Sequence, residues 1–176
     1  MDDQLIRDAI TRQFDAAFAM MKAAMEQCPA DVWADDSKGP AGWKLAYHTL
    51  FFTDVYLGES FDEYEQPAWA DDWAFLFEGK ISREPYEVEL PDVVYDVAQL
   101  TAFCEEVNAN ARRVIAEKPL DDQAPSPHVE GTRLDMHVYN LRHLQHHVGQ
   151  LTLLTRRGGG GVVGWSRNGE TPKKPG

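Results

Sequence analysis

The stretch NLRHLQHHVGQLTLL, residues 140–154, places three histidines within five positions of an amphipathic helical pattern. Successive residues of a helix advance by about 100°, so apolar residues three and four positions apart fall on one side. The residues of this apolar stripe are Leu141, Leu144, Val148 and Leu151. The stretch therefore predicts a helix that buries one face and carries polar side chains along the border of that face.

The three histidines differ in their phase on this helix. His143 and His147 lie at about 200° and 240° from the first leucine of the stripe, one above the other along one border. Asn140 and Gln150 fall on the same border. His146 lies at about 140° and points away from the centre of the stripe. We expect His146 to be solvated.

Two imidazoles at positions i and i+4 can offer nitrogens to one cation, as they do within the zincin motif. The spacing fits solvated or hydrogen-bonded histidines equally well. His48 adds a third imidazole on the inward stripe of a different predicted helix, where an unsatisfied polar group costs about 1 to 3 kcal/mol. A shared metal ion would satisfy His48, His143 and His147 together, so these three are the candidate ligands. His137, near the middle of the apolar stripe, is predicted to be a buried, hydrogen-bonded histidine.

The apolar periodicity predicts four helices in all, at residues 3 to about 27, 43 to about 58, 91 to about 118, and 133 to 157. Pro91 suits the first position of the third helix, and the glycine run 158–161 ends the fourth. No strand pattern of useful length is present. The sequence therefore predicts an all-α four-helix bundle over residues 1–157, followed by a glycine-rich tail over 158–176.

About 30 residues connect the second and third predicted helices, which is more than antiparallel neighbours need. A long crossover that leaves these two helices parallel is therefore expected. The connection is rich in aromatic residues, which would either form the wall of a pocket or cap the core. The aromatic residues considered are Trp69, Trp73, Phe75 and Phe77.

Charge and composition exclude several classes of function. The 176 residues hold 17 Lys and Arg against 29 Asp and Glu, and the net charge of −12 repels phosphate backbones. Cys28 and Cys104 form no C-x-x-C pair and are predicted to be reduced thiols. No basic and apolar signal segment opens the chain, and no run approaches the ~18 apolar residues of a membrane span. We expect a cytoplasmic protein with neither nucleic acid nor membrane as a partner.

Other metal and phosphate motifs do not fit. Leu144 stands where the glutamate of H-E-x-x-H would be, which excludes a zincin, and no E-x-x-H pair supports a carboxylate di-iron bundle. The glycine run 158–161 follows a helix instead of opening one, so it is not predicted to cradle a phosphate.

The histidine segments carry a family resemblance. NLRHLQHHVGQL is similar to the H-x-x-x-H-x-G-Q-L segment in the last bundle helix of the DinB/YfiT-like metalloenzyme superfamily, and GWKLAYHTLFF is similar to its second helix. The resemblance covers the element order of about the first 157 residues. By position, the family's three metal ligands match His48, His143 and His147, and its G-Q pair matches Gly149 and Gln150. This sequence departs from the family at residue 148, where a valine replaces the arginine of many members.

The resemblance implies a divalent metal, commonly zinc or nickel, held by three histidines with open positions for a small-molecule substrate, often in a homodimer. Characterised relatives are transferases and isomerases that use the low-molecular-weight thiols bacillithiol or mycothiol. Our leading hypothesis is therefore metal-assisted transfer of such a thiol to a small electrophile. A metal-dependent hydrolase and a non-enzymatic, metal-binding stress protein are the alternatives. Asn140 and Gln150 would either orient a ligand or substrate or be partly exposed polar residues.

Overall fold

The computed structural model describes residues 3–37, 40–60, 64–70, 94–125, 129–170 and 172. Within these residues the chain forms helices and no β-strand, so the predicted all-α class is confirmed. The helices are α1 (Asp3–Glu26), α2 (Ala30–Ala34), α3 (Gly42–Val55), α4 (Val97–Glu117) and α5 (Arg133–Arg157). None of the helices in this described part is long and apolar enough to cross a lipid bilayer.

The four long helices pack around one core, because α1 and α3 each contact both α4 and α5. Every long helix contributes fully buried side chains to that core. The largest of these are Phe14, Met21 and Met25 from α1, Trp43, Tyr47, Leu50 and Phe51 from α3, Leu100 and Ile115 from α4, and Met136, Leu144 and Leu151 from α5. Of the apolar stripe predicted for α5, Leu144, Val148 and Leu151 are buried as expected, and Leu141 is partly buried.

Contacts between side chains give the directions of the helices. The ring of Tyr47 in α3 packs against Phe103 in α4. Seven residues further along both helices, Asn110 of α4 donates a hydrogen bond to Asp54 of α3. Hence α3 and α4 run in the same direction. Ion pairs between Asp15 and Arg112 and between Lys22 and Glu105 show that α1 and α4 run in opposite directions.

Local sequence signals explain the bounds of α5. Thr132 and Asp135 form a capping box, in which each side chain accepts a hydrogen bond from the other residue's backbone N–H. Arg156 and Arg157 lie in the last turn, where positive charge complements the helix dipole. Gly158 follows as the C-cap. These signals are local, and α5 has the bounds that the sequence predicts.

The prediction for the start of the third long helix is wrong. Val94 to Asp96 are not helical, α4 begins at Val97, and Pro91 itself lies outside the described residues. The indole N–H of Trp33 donates a hydrogen bond of 2.9 Å to the carbonyl of Tyr95. Asp96 then caps the helix, because its side chain accepts a hydrogen bond from the backbone N–H of Gln99. A long-range contact therefore decides this boundary.

Two further segments complete the helical core. The five-residue helix α2, which the breaker-rich sequence around it did not predict, buries Trp33. The chain after α5 turns back along α1, and Val163 joins the hydrophobic core. Gly160 permits this path, because a Cβ there would lie 2.5 Å from the carbonyl oxygen of Gln27.

We predict that Asp96→Ala lowers the free energy of unfolding by about 1 kcal/mol, because the substitution leaves the Gln99 N–H without its cap. Urea denaturation of the purified variant measures this loss. Asp96→Asn should retain most of the stability, since the asparagine oxygen can also cap. Asp121→Ala, at an exposed position between α4 and α5, is the control. Equal stability of Asp96→Ala and the control would contradict the cap.

Candidate metal centre

Packing of α3 against α5 brings three imidazoles together. His48 of α3 faces His143 and His147, which lie on successive turns of α5. The ring centroids are 5.7 Å apart for His48 and His143, 4.8 Å for His48 and His147, and 4.6 Å for His143 and His147. One ring nitrogen from each residue lies within 4.8 Å of the other two. The three predicted histidines therefore form one cluster, and all three are half-buried.

The size of this cluster suits one divalent ion. Two imidazole nitrogens bound tetrahedrally to zinc, each at about 2.05 Å, lie roughly 3.4 Å apart. The nitrogens of the cluster are within 4.8 Å of one another, so each separation exceeds this spacing by at most about 1.4 Å. Three histidine ligands leave a further coordination position open, as in catalytic zinc sites.

The environment of His143 keeps its imidazole neutral. Burial, together with smaller contributions from the neighbouring His147, His48 and His146, lowers the pKa of His143 to about 3. Its Nδ1 is buried and has no hydrogen-bond partner among the described residues. A neutral imidazole has a lone pair on one ring nitrogen, which is the form that binds metals. His143 is therefore ready to coordinate at neutral pH without first losing a proton.

Gln150 orients the ring of His147. Its Oε1 lies 2.7 Å from Nδ1 of His147, one turn earlier on α5. With the amide oxygen facing the ring, Nδ1–H donates and Nε2 retains the lone pair for a ligand. Gln150 is itself exposed, which agrees with the interpretation of this residue as an exposed polar side chain, whereas a role in orienting a ligand stays a prediction. It is a surface polar residue, and it lies where it can support a metal ligand.

Aromatic side chains pack against the histidines at the C-terminal end of α3. Phe52 packs 4.8 Å from His48, and Tyr56 packs edge-on at 5.4 Å from His143. Burial, followed by a hydrogen bond with Tyr139, raises the pKa of Tyr56, which keeps its phenol neutral. We did not predict these neighbours, although helical spacing could have found them. Phe52 and Tyr56 follow His48 by four and eight residues, and Tyr139 precedes His143 by four.

Asn140 lies deeper than the sequence suggests. It is fully buried and donates a hydrogen bond of 2.9 Å to the carbonyl of Thr53, which ties α5 to α3. Its Oδ1 has no hydrogen-bond partner among the described residues. Asn140 therefore ties together the two helices that carry the histidines; it is not partly exposed, and a role in orienting a ligand stays a prediction.

The remaining sequence-predicted positions have separate outcomes. His146 is exposed, as expected, although its ring lies 5.0 Å from that of His147. Trp69 packs against Tyr47, Tyr95 and Phe103 and so caps the core instead of lining the histidine cluster. The other aromatic residues considered for a pocket wall, Trp73, Phe75 and Phe77, lie outside the described residues.

For His137 the prediction of burial is confirmed and the prediction of a hydrogen bond is wrong. The residue is 1% exposed, and neither ring nitrogen has a hydrogen-bond partner within the described ranges. Burial lowers its pKa to about 4, with smaller contributions from the nearby charges of Arg133 and Arg7. The core therefore holds His137 as a neutral imidazole.

Comparison of the chain with protein-family models, with curated proteins and with solved structures found no match. The geometry and chemistry of the histidine cluster therefore carry the functional interpretation.

We predict that His137→Leu flattens the dependence of stability on pH between about 6.5 and 4. In this range the unfolded chain binds a proton at residue 137 and the folded chain does not, so stability falls as the pH is lowered. Because the pKa of His137 falls from 6.5 in the unfolded chain to about 4 in the folded chain, this residue should lower the free energy of unfolding by about 3 kcal/mol over this pH range, at about 1.4 kcal/mol per pH unit. Urea denaturation at pH 7 and pH 4, with a chelator present, measures it.

The control for this experiment is His146→Gln, because His146 is exposed on the same helix. This control should keep the pH dependence of the original protein. If His137→Leu lost as much stability as the control over the same pH range, the buried neutral state of His137 would be refuted.

Proposed function

We propose that this chain is a metalloprotein in which His48, His143 and His147 hold one divalent ion. The observation that carries the proposal is the convergence of three ring nitrogens, from two helices, to within 4.8 Å of one another. Two details support it. The buried Nδ1 of His143 has no hydrogen-bond partner in the described part of the chain, and Gln150 orients the ring of His147. From the resemblance, zinc or nickel is the expected ion.

We further propose that the four long helices form a four-helix bundle of the DinB/YfiT-like type. The parallel directions of α3 and α4 support a crossover between them, and the antiparallel pairing of α1 with α4 supports the bundle. The crossover runs largely through residues outside the described ranges. The homodimer implied by the resemblance and the cytoplasmic location expected from the sequence stay part of this proposal.

The proposed reaction is transfer of a low-molecular-weight thiol to a small electrophile. When bound, the ion supplies a Lewis acid that stabilises a thiolate, the nucleophilic form of a thiol. The chain's own thiols are unsuited to that role. Burial raises the pKa of Cys104 to about 12, and burial also raises the pKa of Cys28. Neither cysteine belongs to the histidine cluster, so the proposed reaction takes its thiol from a separate small molecule.

The neighbouring side chains contribute in two ways. Gln150 holds the ring of His147 in one tautomer, and Phe52 and Tyr56 shield one side of the cluster from water. The half-buried histidines leave the other side accessible to a small substrate. This combination of an open approach and an apolar wall suits a small electrophile.

We predict that the protein binds about one equivalent of Zn²⁺ and that His48→Ala weakens this binding more than about 100-fold. The loss should exceed the 10- to 100-fold effect of removing an outer-shell partner, because a direct ligand is lost. Competition with a chromophoric chelator, using protein purified without a histidine tag, measures the affinity. His146→Ala, which removes an exposed histidine beside the cluster, is the matched control and should bind like the original protein. Unchanged zinc affinity in His48→Ala would refute the centre.

We predict that the zinc-loaded protein accelerates the reaction of cysteine or bacillithiol with chlorodinitrobenzene. The sulfur attacks the ring carbon that bears chlorine, a C–S bond forms, chloride leaves with the C–Cl electron pair, and the thiol proton goes to solvent. Absorbance of the thioether product measures the rate, with His48→Ala and metal-free protein as controls. Turnover of p-nitrophenyl acetate that does not depend on thiol would support the hydrolase instead. Zinc binding with no turnover of either substrate would support the non-enzymatic alternative.

A further inference from the structure

A groove of about 620 Å³ lies beside the histidine cluster, between α2, the start of α3 and the last turns of α5. Two of its lining residues connect it to the cluster. Gln150 lines the groove and pairs with His147, and Leu45 lies one helical turn before His48. Its volume is within the range of about 300 to 1,000 Å³ that is typical of small-molecule sites. The groove is therefore a candidate site for the substrate of the proposed centre.

The walls of the groove are largely apolar. Val32, Leu45, Leu153 and Leu154 line it, and the side chain of Leu153 is 49% exposed. A half-exposed leucine in a concave site loses contact with water when an apolar ligand binds, which favours binding. The groove follows α5 from Gln150 to Gly158, about 12 Å at 1.5 Å per residue. This length fits an extended chain of several methylene groups.

The charges of the groove favour a cation. Asp31 and Asp35 are both exposed, lie four residues apart and line the groove together with one cation, Arg157. Each carboxylate oxygen of Asp35 also accepts one hydrogen bond from Ser37, which fixes its orientation. Arg156 and Arg157 offset the partial negative charge at the C-terminal end of α5, and the whole chain carries a net charge of −12. Asp31 is adjacent to Val32, whose side chain lies against Gly158. This carboxylate therefore lies at the end of the groove that is distant from Gln150.

We propose that this groove binds a small molecule with a protonated amine on an apolar chain, with the amine at Asp31 and Asp35 and the other end of the chain beside Gln150 and His147. The identification of this molecule as a substrate rests on the proposed function, whereas binding in the groove does not. The chemistry of the walls, the carboxylate pair and the shared glutamine each contribute one part of the specificity.

Titration of the ¹⁵N-labelled protein with hexylamine, hexanol and hexanoate tests the proposal by NMR. The ammonium form of hexylamine should bind about fivefold more tightly than hexanol, the size of one exposed ion pair, and hexanoate should bind most weakly. The double substitution Asp31→Asn with Asp35→Asn should remove the preference for the amine. It should leave hexanol binding within about twofold. Leu153→Asn should weaken all three probes.

The charge-matched control is Asp121→Asn with Asp122→Asn, which makes the same change in net charge at exposed positions outside the groove. If this control also lost the preference for the amine, the preference would depend on the net charge of the protein and not on Asp31 and Asp35, and the carboxylate site would be overturned. Equal affinity of the original protein for all three probes would also overturn it.

Two measurements separate this inference from the proposed function. Hexylamine should bind His48→Ala as tightly as it binds the original protein. If the original protein bound hexylamine but not zinc, the metal centre would be refuted and the amine site would stand. In the zinc-loaded protein, saturation with hexylamine should shift the imidazole resonances of His147 through Gln150. Unchanged His147 resonances at saturation would overturn the placement of the ligand beside the centre.

Discussion

Antiparallel packing of α5 against α3 fixes the position of every polar group in the candidate centre. The register of the two helices is held at separate levels. Arg133 pairs with Glu59 at 2.8 Å, and Asn140 donates to the carbonyl of Thr53 at 2.9 Å. A shift of one residue along either helix would break both contacts and turn His48 away from its two partners, because each residue of a helix is rotated by about 100°.

This register produces a row of polar side chains along α5. The row runs from Arg133 through His137 and Asn140 to His143 and His147, at steps of three and four residues. The first three are at least 95% buried, whereas the two histidines at the other end are half-buried and face His48. A buried polar group without a partner costs about 1 to 3 kcal/mol. His137, whose two ring nitrogens lack partners among the described residues, therefore lowers stability in the core. The row becomes accessible only at the histidine cluster, where a ligand can satisfy it.

Some of this arrangement was predictable from the sequence, because it depends on local periodicity. The phase of the helix separates His143 and His147 from His146, and the capping box and the glycine run define α5. Long-range contacts decide what was not predictable. The hydrogen bond from Trp33 to the carbonyl of Tyr95 accompanies the late start of α4. The depth of Asn140 depends on α3 approaching closely enough to accept its hydrogen bond, which no pattern within α5 indicates.

The two helices that supply the histidines belong to distant parts of the chain, since His48 and His143 are 95 residues apart in sequence. An ion held by both would act as a cross-link, and it would have no comparable site in the unfolded chain. Free ion at a thousand times its dissociation constant would then add about 4 kcal/mol to the stability of the fold. Under metal starvation the same chain would open more often and become easier for proteases to degrade, so the metal supply of the cell would set the lifetime of the protein.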